Sequence, residues 1–105
     1  MDKRTIKEMV NFFTKSLSST GISVGHIALF GSVLKGVDTK DSDVDFIVIS
    51  DDFEGKDIFE RSTMMMNAEL QLLKKYKIPF DILNMTKQEY QESIDNKRYE
   101  SQLVF

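Results

Sequence analysis

The chain has 105 residues, which suffice for one small domain, expected to span residues 1–105, with a single modest core. Hydrophobic residues make up 41% and charged residues 30%, which is typical of a soluble globular protein and argues against disorder. The net charge of −3 argues against a nucleic-acid partner, and the lack of cysteine excludes disulfides and thiolate metal sites. With no signal peptide and no apolar stretch that could span a bilayer, we expect a cytoplasmic protein without a membrane partner.

The first predicted element is an amphipathic helix. Its apolar positions recur at helical spacing, at Ile6, Met9, Val10, Phe13 and Leu17. Thr5 followed by Glu8 has the spacing of a capping box, which predicts that the helix begins there. Gly21 is a plausible stop signal.

Two short apolar segments follow and predict two buried strands. The first is HIALF, residues 26–30, and the second is VDFIVIS, residues 44–50. The intervening GSVLKGVDTKDS has turn chemistry at both ends and has room for a short helical turn after Ser32.

The second half predicts a long helix over residues 57–76, a third strand in IPFDILNM and a last helix. Apolar residues of the long helix recur at intervals of seven, which predicts a stripe lying against a sheet: Ile58, Met65 and Leu72, then Phe59, Met66 and Leu73, with Leu70 beside them. Of the run Met64-Met65-Met66, one or two members should fill the core, which is favoured over a soft metal site or an adhesive surface. Thr86 with Glu89 has capping-box spacing for the last helix. The final SQLVF is either an edge strand or an apolar tail docked on a partner. Without that segment, the order α, β, β, α, β, α predicts an α/β or α+β domain, in which helices pack on one sheet.

Two aspartates at the start of the second strand carry the chemistry. Asp43 and Asp45 are two residues apart, so their side chains point to the same face. Neighbouring carboxylates repel each other, and a divalent cation such as Mg²⁺ relieves that repulsion. The alternative is a polar loop entering a strand, which suits Asp41 but fits Asp45 less well, because strands disfavour Asp.

A third aspartate interrupts the apolar third strand. Asp81 lies between Phe80 and Ile82, where a lone Asp is often a structural hydrogen-bonding group. If the third strand lies beside the second, Asp81 would converge with Asp43 and Asp45 on one face. Such convergence is the geometry of a two-metal site for in-line displacement at phosphorus.

The pair Gly31-Ser32 supplies a candidate phosphate contact. Glycine lets the backbone come close to a ligand, and a helix that begins near Ser32 would present free N–H groups to an anion. The alternative is a simple strand-to-helix turn with Ser32 as the N-cap.

Together these residues resemble a known family. Gly31-Ser32, a spacer of ten residues and Asp43-Val44-Asp45-Phe46 resemble the hG[GS]…Dh[DE]h signature of the polymerase-β nucleotidyltransferase superfamily. The resemblance is to its minimal nucleotidyltransferases, small domains often paired with HEPN-domain proteins, and it extends over essentially the whole chain. It implies a palm-like mixed sheet, Mg²⁺ held by Asp43, Asp45 and Asp81, and activation of an acceptor hydroxyl by Asp81.

The resemblance also implies a nucleoside triphosphate substrate, such as ATP, whose phosphates contact Gly31 and Ser32. Many relatives read G-S-R-A-R-G after the first strand, whereas this chain has Val33 and Lys35 at the two arginine positions. Lys35 either binds the phosphates or is a solvated loop lysine, and it lacks the bidentate fork of arginine.

Three functions follow as hypotheses. The first is an enzyme that transfers a nucleoside monophosphate to a hydroxyl, preferably of a partner protein, because the chain lacks room for subdomains that grip tRNA or DNA. The second is an inactive or weakly active antitoxin module that sequesters a HEPN-type partner by contact. The third is a nucleotide-binding domain that forms a homo-oligomer through an exposed strand edge.

Overall fold

The computed structural model describes all residues from 1 to 105. The helices are α1 (Lys3–Ser19), α2 (Gly31–Lys35), α3 (Ile58–Tyr76) and α4 (Lys87–Asp95), with one 3-10 turn at Asp51–Phe53. The strands are β1 (His26–Phe30), β2 (Val44–Ile49), β3 (Phe80–Met85) and β4 (Ser101–Leu103). The predicted mixed α+β architecture with helices packed on one sheet is confirmed.

The four strands form one mixed sheet in the order β3-β2-β1-β4. Strand β1 is antiparallel to both β2 and β4, whereas β2 and β3 run parallel. A parallel pair needs a long crossover connection, which α3 supplies. The third strand therefore lies beside the second, as the three-carboxylate hypothesis requires, and SQLVF forms the edge strand β4 rather than a free tail.

The main core lies on the sheet face covered by α1 and α3. It includes Phe13 and Leu17 of α1, Phe46 and Val48 of β2, and Met65 and Leu72 of α3. The opposite face carries a smaller cluster, formed by Ala28, Ile47 and Ile49 and packed against Tyr90 of α4. Strand β2 is one of the two interior strands, and all its residues except Asp45 are apolar and buried.

The start of α1 differs from the prediction, whereas the predicted start of α4 is confirmed. Helix α1 begins earlier than expected, since the Asp2 carboxylate accepts a hydrogen bond from the Thr5 backbone N–H at 2.8 Å and takes the capping role assigned to Thr5. The capping boxes at the start of α3, formed by Asp57 and Glu60, and at the start of α4 are both complete.

The apolar stripe predicted for α3 does not lie wholly against the sheet. Met65 and Leu72 are fully buried, but Phe59 is 79% exposed and Met66 is 62% exposed, and Ile58 is also exposed. Two adjacent heptad rows cannot both face one sheet, because neighbouring residues on a helix point about 100° apart. Apart from Ile58 at the first position of the helix, the row with Met65 and Leu72 enters the core, and the other row lies at the surface. No helix of the chain has the length and hydrophobicity of a membrane span.

Candidate functional site

The parallel pairing of β2 and β3 brings two of the predicted carboxylates together. Asp45 and Asp81 are register partners on neighbouring strands, and in-register residues of a parallel pair project from the same face. That face is the one opposite α1 and α3, since Val44 and Phe46 on either side of Asp45 point into the main core. The two carboxylates are therefore nearest neighbours across the strands.

Asp43 joins this pair from the loop just before β2. It lies two residues from Asp45, so it is placed towards the same face, and like Asp81 it is exposed. Burial raises the pKa of Asp45, and the negative charges of Asp81 and Asp43 raise it further. Asp45 thus lies within electrostatic reach of both other carboxylates, and it is the least exposed of the three.

The donor chemistry of the three aspartates fits a hard divalent cation, because Mg²⁺ is bound in proteins mainly by carboxylate oxygens. No group of three or more acidic, histidine or cysteine side chains is already gathered at metal-binding distance. Asp43 and Asp81 are exposed, so rotation of their side chains towards Asp45 requires no repacking of the core. A metal would have to draw the ligands together against their mutual repulsion.

Glycine is required at position 31 both by the turn that begins there and by the side chain of Asp45. Its φ is +74°, a left-handed conformation that side chains other than glycine rarely adopt. A Cβ atom added there would lie 2.8 Å from Cγ of Asp45 and would overlap its carboxylate oxygen. The sequence suggests that Gly31 makes room for a ligand, whereas the structure shows that it makes room for Asp45.

Helix α2 has five residues and begins at Gly31, where β1 ends. Phe30, the last residue of β1, is the register partner of Asp45, so the amino end of α2 lies beside the carboxylates. No side chain caps this end of the helix, and Ser32 is half-buried in its first turn. The predicted phosphate-facing turn and the predicted metal-facing pair are thus adjacent in space.

The two residues at the usual arginine positions have different surroundings. Val33 is only 8% exposed and belongs to the main core. Lys35 is exposed in the last turn of α2, where a positive charge interacts favourably with the helix dipole. Val33 is thus a core residue, and an arginine at its position could not point to solvent without rearrangement of α2.

Sequence reasoning missed an aromatic contact beside the carboxylates. The ring of Tyr99 packs edge-on against Phe30, with 5.3 Å between ring centroids. The Tyr90 hydroxyl is 2.8 Å from Oγ of Ser101 and ties α4 to β4. Both tyrosines lie in a polar segment of the sequence, and no local pattern there marks their contacts.

The single histidine, His26, has a structural role. Nδ1 of His26 is 3.0 Å from the backbone oxygen of Phe105. The backbone N–H of Ile27 donates to the same oxygen, so the contact fixes the end of the chain against β1.

Comparison with known proteins places this geometry in a family. Residues 6–102 match the family described as the nucleotidyltransferase domain. A search among curated proteins found no significant match. Three solved structures share the fold at 15–22% sequence identity.

One is a candidate nucleotidyltransferase from Sulfolobus solfataricus, with a TM-score of 0.66 and 15% identity over 94% of this chain and 78% of that chain. The second is another candidate nucleotidyltransferase, with a TM-score of 0.55 and 22% identity over 96% and 98%. The third is a toxin-antitoxin with AMP-PNP, with a TM-score of 0.59 and 18% identity over 90% and 71%. The family match spans nearly the whole sequence, and the chain therefore belongs to the nucleotidyltransferase domain family.

Proposed function

We propose that the protein is a magnesium-dependent nucleotidyltransferase that moves a nucleoside monophosphate, preferably AMP from ATP, to a hydroxyl group of a partner protein. The observation that supports this best is the register of Asp45 with Asp81, with Asp43 beside them. Strands disfavour Asp, and three interacting carboxylates are costly in the absence of a cation. A cation-dependent role accounts for their presence.

In this reaction Asp43 and Asp45 would hold the metal, and Asp81 would complete its ligands. The acceptor oxygen forms a bond to the α-phosphorus, the bond from that phosphorus to the bridging oxygen breaks, and pyrophosphate leaves with the bonding electrons. The acceptor proton passes to the Asp81 carboxylate, which is exposed and so accessible to a substrate. Bound Mg²⁺ supplies charge neutralisation at the phosphates and at the attacking oxygen.

Gly31, Ser32 and Lys35 would orient the triphosphate. The amino end of α2 lies next to Asp45, where free backbone N–H groups and the Ser32 hydroxyl can donate to phosphate oxygens. Lys35 contributes a positive charge without a planar fork, which holds a phosphate less rigidly than arginine does. Catalysis would then rest mainly on positioning and charge neutralisation.

A protein acceptor is favoured by the charge of the chain. Its net charge of −3 does not favour a nucleic-acid acceptor, which is bound mainly through its phosphates. One of the structures with this fold is a toxin-antitoxin, which supports a protein partner. From the sequence resemblance, we propose a HEPN-type protein as that partner.

A second function is favoured by two observations on the site. Val33 is committed to the core, and no three carboxylates are already gathered around a metal position. Both observations suit a module that retains the fold but has weak or no activity and sequesters its HEPN-type partner by contact alone.

One experiment separates the two functions. The protein is incubated with Mg²⁺ and α-labelled ATP, with and without the protein encoded by the neighbouring gene, and transferred label is measured. Enzymatic transfer predicts label on the partner that Asp43→Asn abolishes and that Asp41→Asn, a change in the exposed loop, preserves. Tight complex formation with no label transfer, unchanged by Asp43→Asn, would instead establish the binding module.

A further inference from the structure

The most exposed apolar surface of the chain runs along α3 and continues onto β3. On α3 it follows the spacing of 3 and 4 residues that characterises a seam between two packed helices. The seam positions are Phe59, Ser62, Met66, Glu69 and Leu73, with Leu70 beside them. We call this surface, together with the side chains of Phe80 and Ile82 that line it from β3, the α3–β3 groove. The part of the groove from Ser62 to Leu73, without Phe59, forms an open pocket of about 560 Å³ with Phe80 and Ile82.

A carboxylate without a partner lies in the middle of this groove. Glu69 is half-buried among Met66, Leu70, Leu73 and Phe80, and no salt bridge of the chain includes it. Burial raises its pKa, which reflects the loss of water around the group. No lysine or arginine lines the groove, so nothing in the chain compensates this charge.

The edge of β3 favours a helix over a strand as the occupant. The backbone oxygens of residues 79 and 85 accept hydrogen bonds from β2. Because backbone groups point alternately to the two sides of a strand, those of Phe80, Ile82 and Asn84 point to the open edge of the sheet. Nη1 of Arg61 donates to the backbone oxygen of Asn84 at 3.0 Å and closes that end of the edge. Only Phe80 and Ile82 remain free, which is too few for a stable added strand.

A second copy of the chain fits the groove poorly. If two copies packed about a two-fold axis at Met66, the middle of the α3 seam, the two Glu69 carboxylates would lie about 9 Å apart along the helix axis. Two like charges in the same partly desolvated groove repel each other, and the groove has no cation to separate them. The negative charge of Glu69 is instead complementary to a different protein that carries a positive charge.

We propose that the α3–β3 groove binds a helical segment of a partner protein, whose apolar face carries a lysine or arginine that pairs with Glu69. The apolar side chains of α3 and β3 supply the contact area. Glu69 sets the register, because only one alignment of the partner places its cation opposite the carboxylate. This binding surface is on the sheet face opposite Asp45 and Asp81, and it requires neither nucleotide nor metal.

The groove can be tested with a phage-displayed library of 18-residue helical peptides, selected against the whole protein without nucleotide or metal. Enriched peptides should have apolar residues at a spacing of 3 and 4 and one lysine or arginine among them. Leu70→Glu should weaken their binding at least tenfold. Ile94→Glu, a matched change at an exposed apolar position of α4, should leave it unchanged. All positions changed are exposed or at the surface, and circular dichroism checks that each variant is folded.

Charge reversal gives a second readout. Selection against Glu69→Lys should enrich peptides with aspartate or glutamate in place of the cation. The proposal is overturned if no peptide is enriched, if binding is equally sensitive to Leu70→Glu and Ile94→Glu, or if Glu69→Lys selects the same cationic peptides. The proposal is also overturned if sedimentation detects a dimer of the protein that Leu70→Glu dissociates. None of these outcomes depends on whether the protein transfers nucleotides.

Discussion

Replacing Asp45 by asparagine should make the metal-free protein more stable at neutral pH. Asp45 is partly removed from water, and Asp81 and Asp43 add negative charge beside it. Asparagine has nearly the same shape and removes the charge, so Asp45→Asn relieves both the desolvation and the repulsion. If Asp45 contributed only packing or a hydrogen bond, Asp45→Asn would instead lower the free energy of unfolding.

The magnitude follows from the strand geometry. Register partners on neighbouring strands place their side chains about 5 Å apart. Two unit charges at that distance repel by about 0.8 kcal/mol in water and about 3 kcal/mol at an effective dielectric constant of 20. Because Asp81 is exposed, the value lies near the lower limit, and we expect a gain of about 1 kcal/mol. For a chain of this length, that corresponds to a rise in Tm of about 4–8 °C.

The assay is urea and thermal unfolding, followed by circular dichroism in EDTA at low and high salt. The stabilisation by Asp45→Asn should shrink at high salt, since repulsion between exposed charges is screened. Asp41→Asn is the matched control and should change the free energy of unfolding little. Addition of Mg²⁺ at constant ionic strength should stabilise the unmodified protein but not Asp45→Asn, because only a native state with its ligands gains from metal binding.

Two results would refute this reasoning. If Asp45→Asn destabilised the metal-free protein, Asp45 would be a structural hydrogen-bonding group rather than an electrostatic liability. If Asp45→Asn and Asp41→Asn responded to Mg²⁺ in the same way as the unmodified protein, the three aspartates would not be the metal ligands.

Three further substitutions test other parts of the site and its support. Gly31→Ala should destabilise the fold by about 2 kcal/mol, since the left-handed backbone costs about 1–2 kcal/mol and the new methyl group overlaps a carboxylate. Val33→Arg should destabilise it by about 3 kcal/mol or more, because a charge enters the core without a partner. Both are measured by urea unfolding. Arg61→Met should remove the 2.7 Å ion pair with Glu89 and change the pH dependence of stability. Burial alone would raise the pKa of Glu89, but the hydrogen bonds from Arg61 and Thr86 lower it overall. The stabilisation from Glu89 is therefore complete above its unfolded pKa of about 4.3 and is lost as pH falls through the lower folded pKa. In Arg61→Met that loss in acid should be smaller, which unfolding curves between about pH 3 and 6 would reveal.

Each substitution has a matched control in the chain. Gly36→Ala shares the left-handed conformation but meets no atom within 4 Å, so it should cost less than Gly31→Ala. Equal costs would mean that contact with the carboxylate is unimportant. Lys35→Arg, at an exposed position of the same helix, should be tolerated. A harmless Val33→Arg would show that α2 can rotate this position to solvent. Arg4 forms an exposed pair with Glu8 at 4.0 Å and serves as the control for Arg61. If the stability of Arg4→Met and Arg61→Met depended on pH in the same way, the role of the Arg61–Glu89 ion pair would be contradicted.

The strands and long helices were predictable because their signals are local. HIALF and VDFIVIS have apolar, β-branched runs of strand length, and the capping box at Thr86 marks the start of α4 to the residue. Strand β4 could not be assigned, because three residues carry no period and the strand forms only by pairing with β1.

Only part of the candidate site was predictable from the sequence. The spacing of Asp43 and Asp45 fixes their common face, but the approach of Asp81 depends on a parallel pairing across 36 residues, which no local pattern encodes. The contact between Gly31 and Asp45 is likewise a tertiary event. The split of the α3 stripe into a buried and an exposed row could not be foreseen, since the sequence does not state how wide a surface the sheet offers the helix.

The parallel pairing of β2 and β3 also determines at which stage of folding Asp45 and Asp81 come together. Strands β1 and β2 are close in sequence, so they can meet early, whereas β3 must wait for the whole α3 crossover to close. Repulsion between Asp45 and Asp81 therefore acts only on this late docking step. A cation that bridges the two strands would slow the undocking of β3 more than it would speed the collapse of the chain. Hydrogen exchange of the β3 amides should then be the most sensitive kinetic report of occupancy, well ahead of global unfolding.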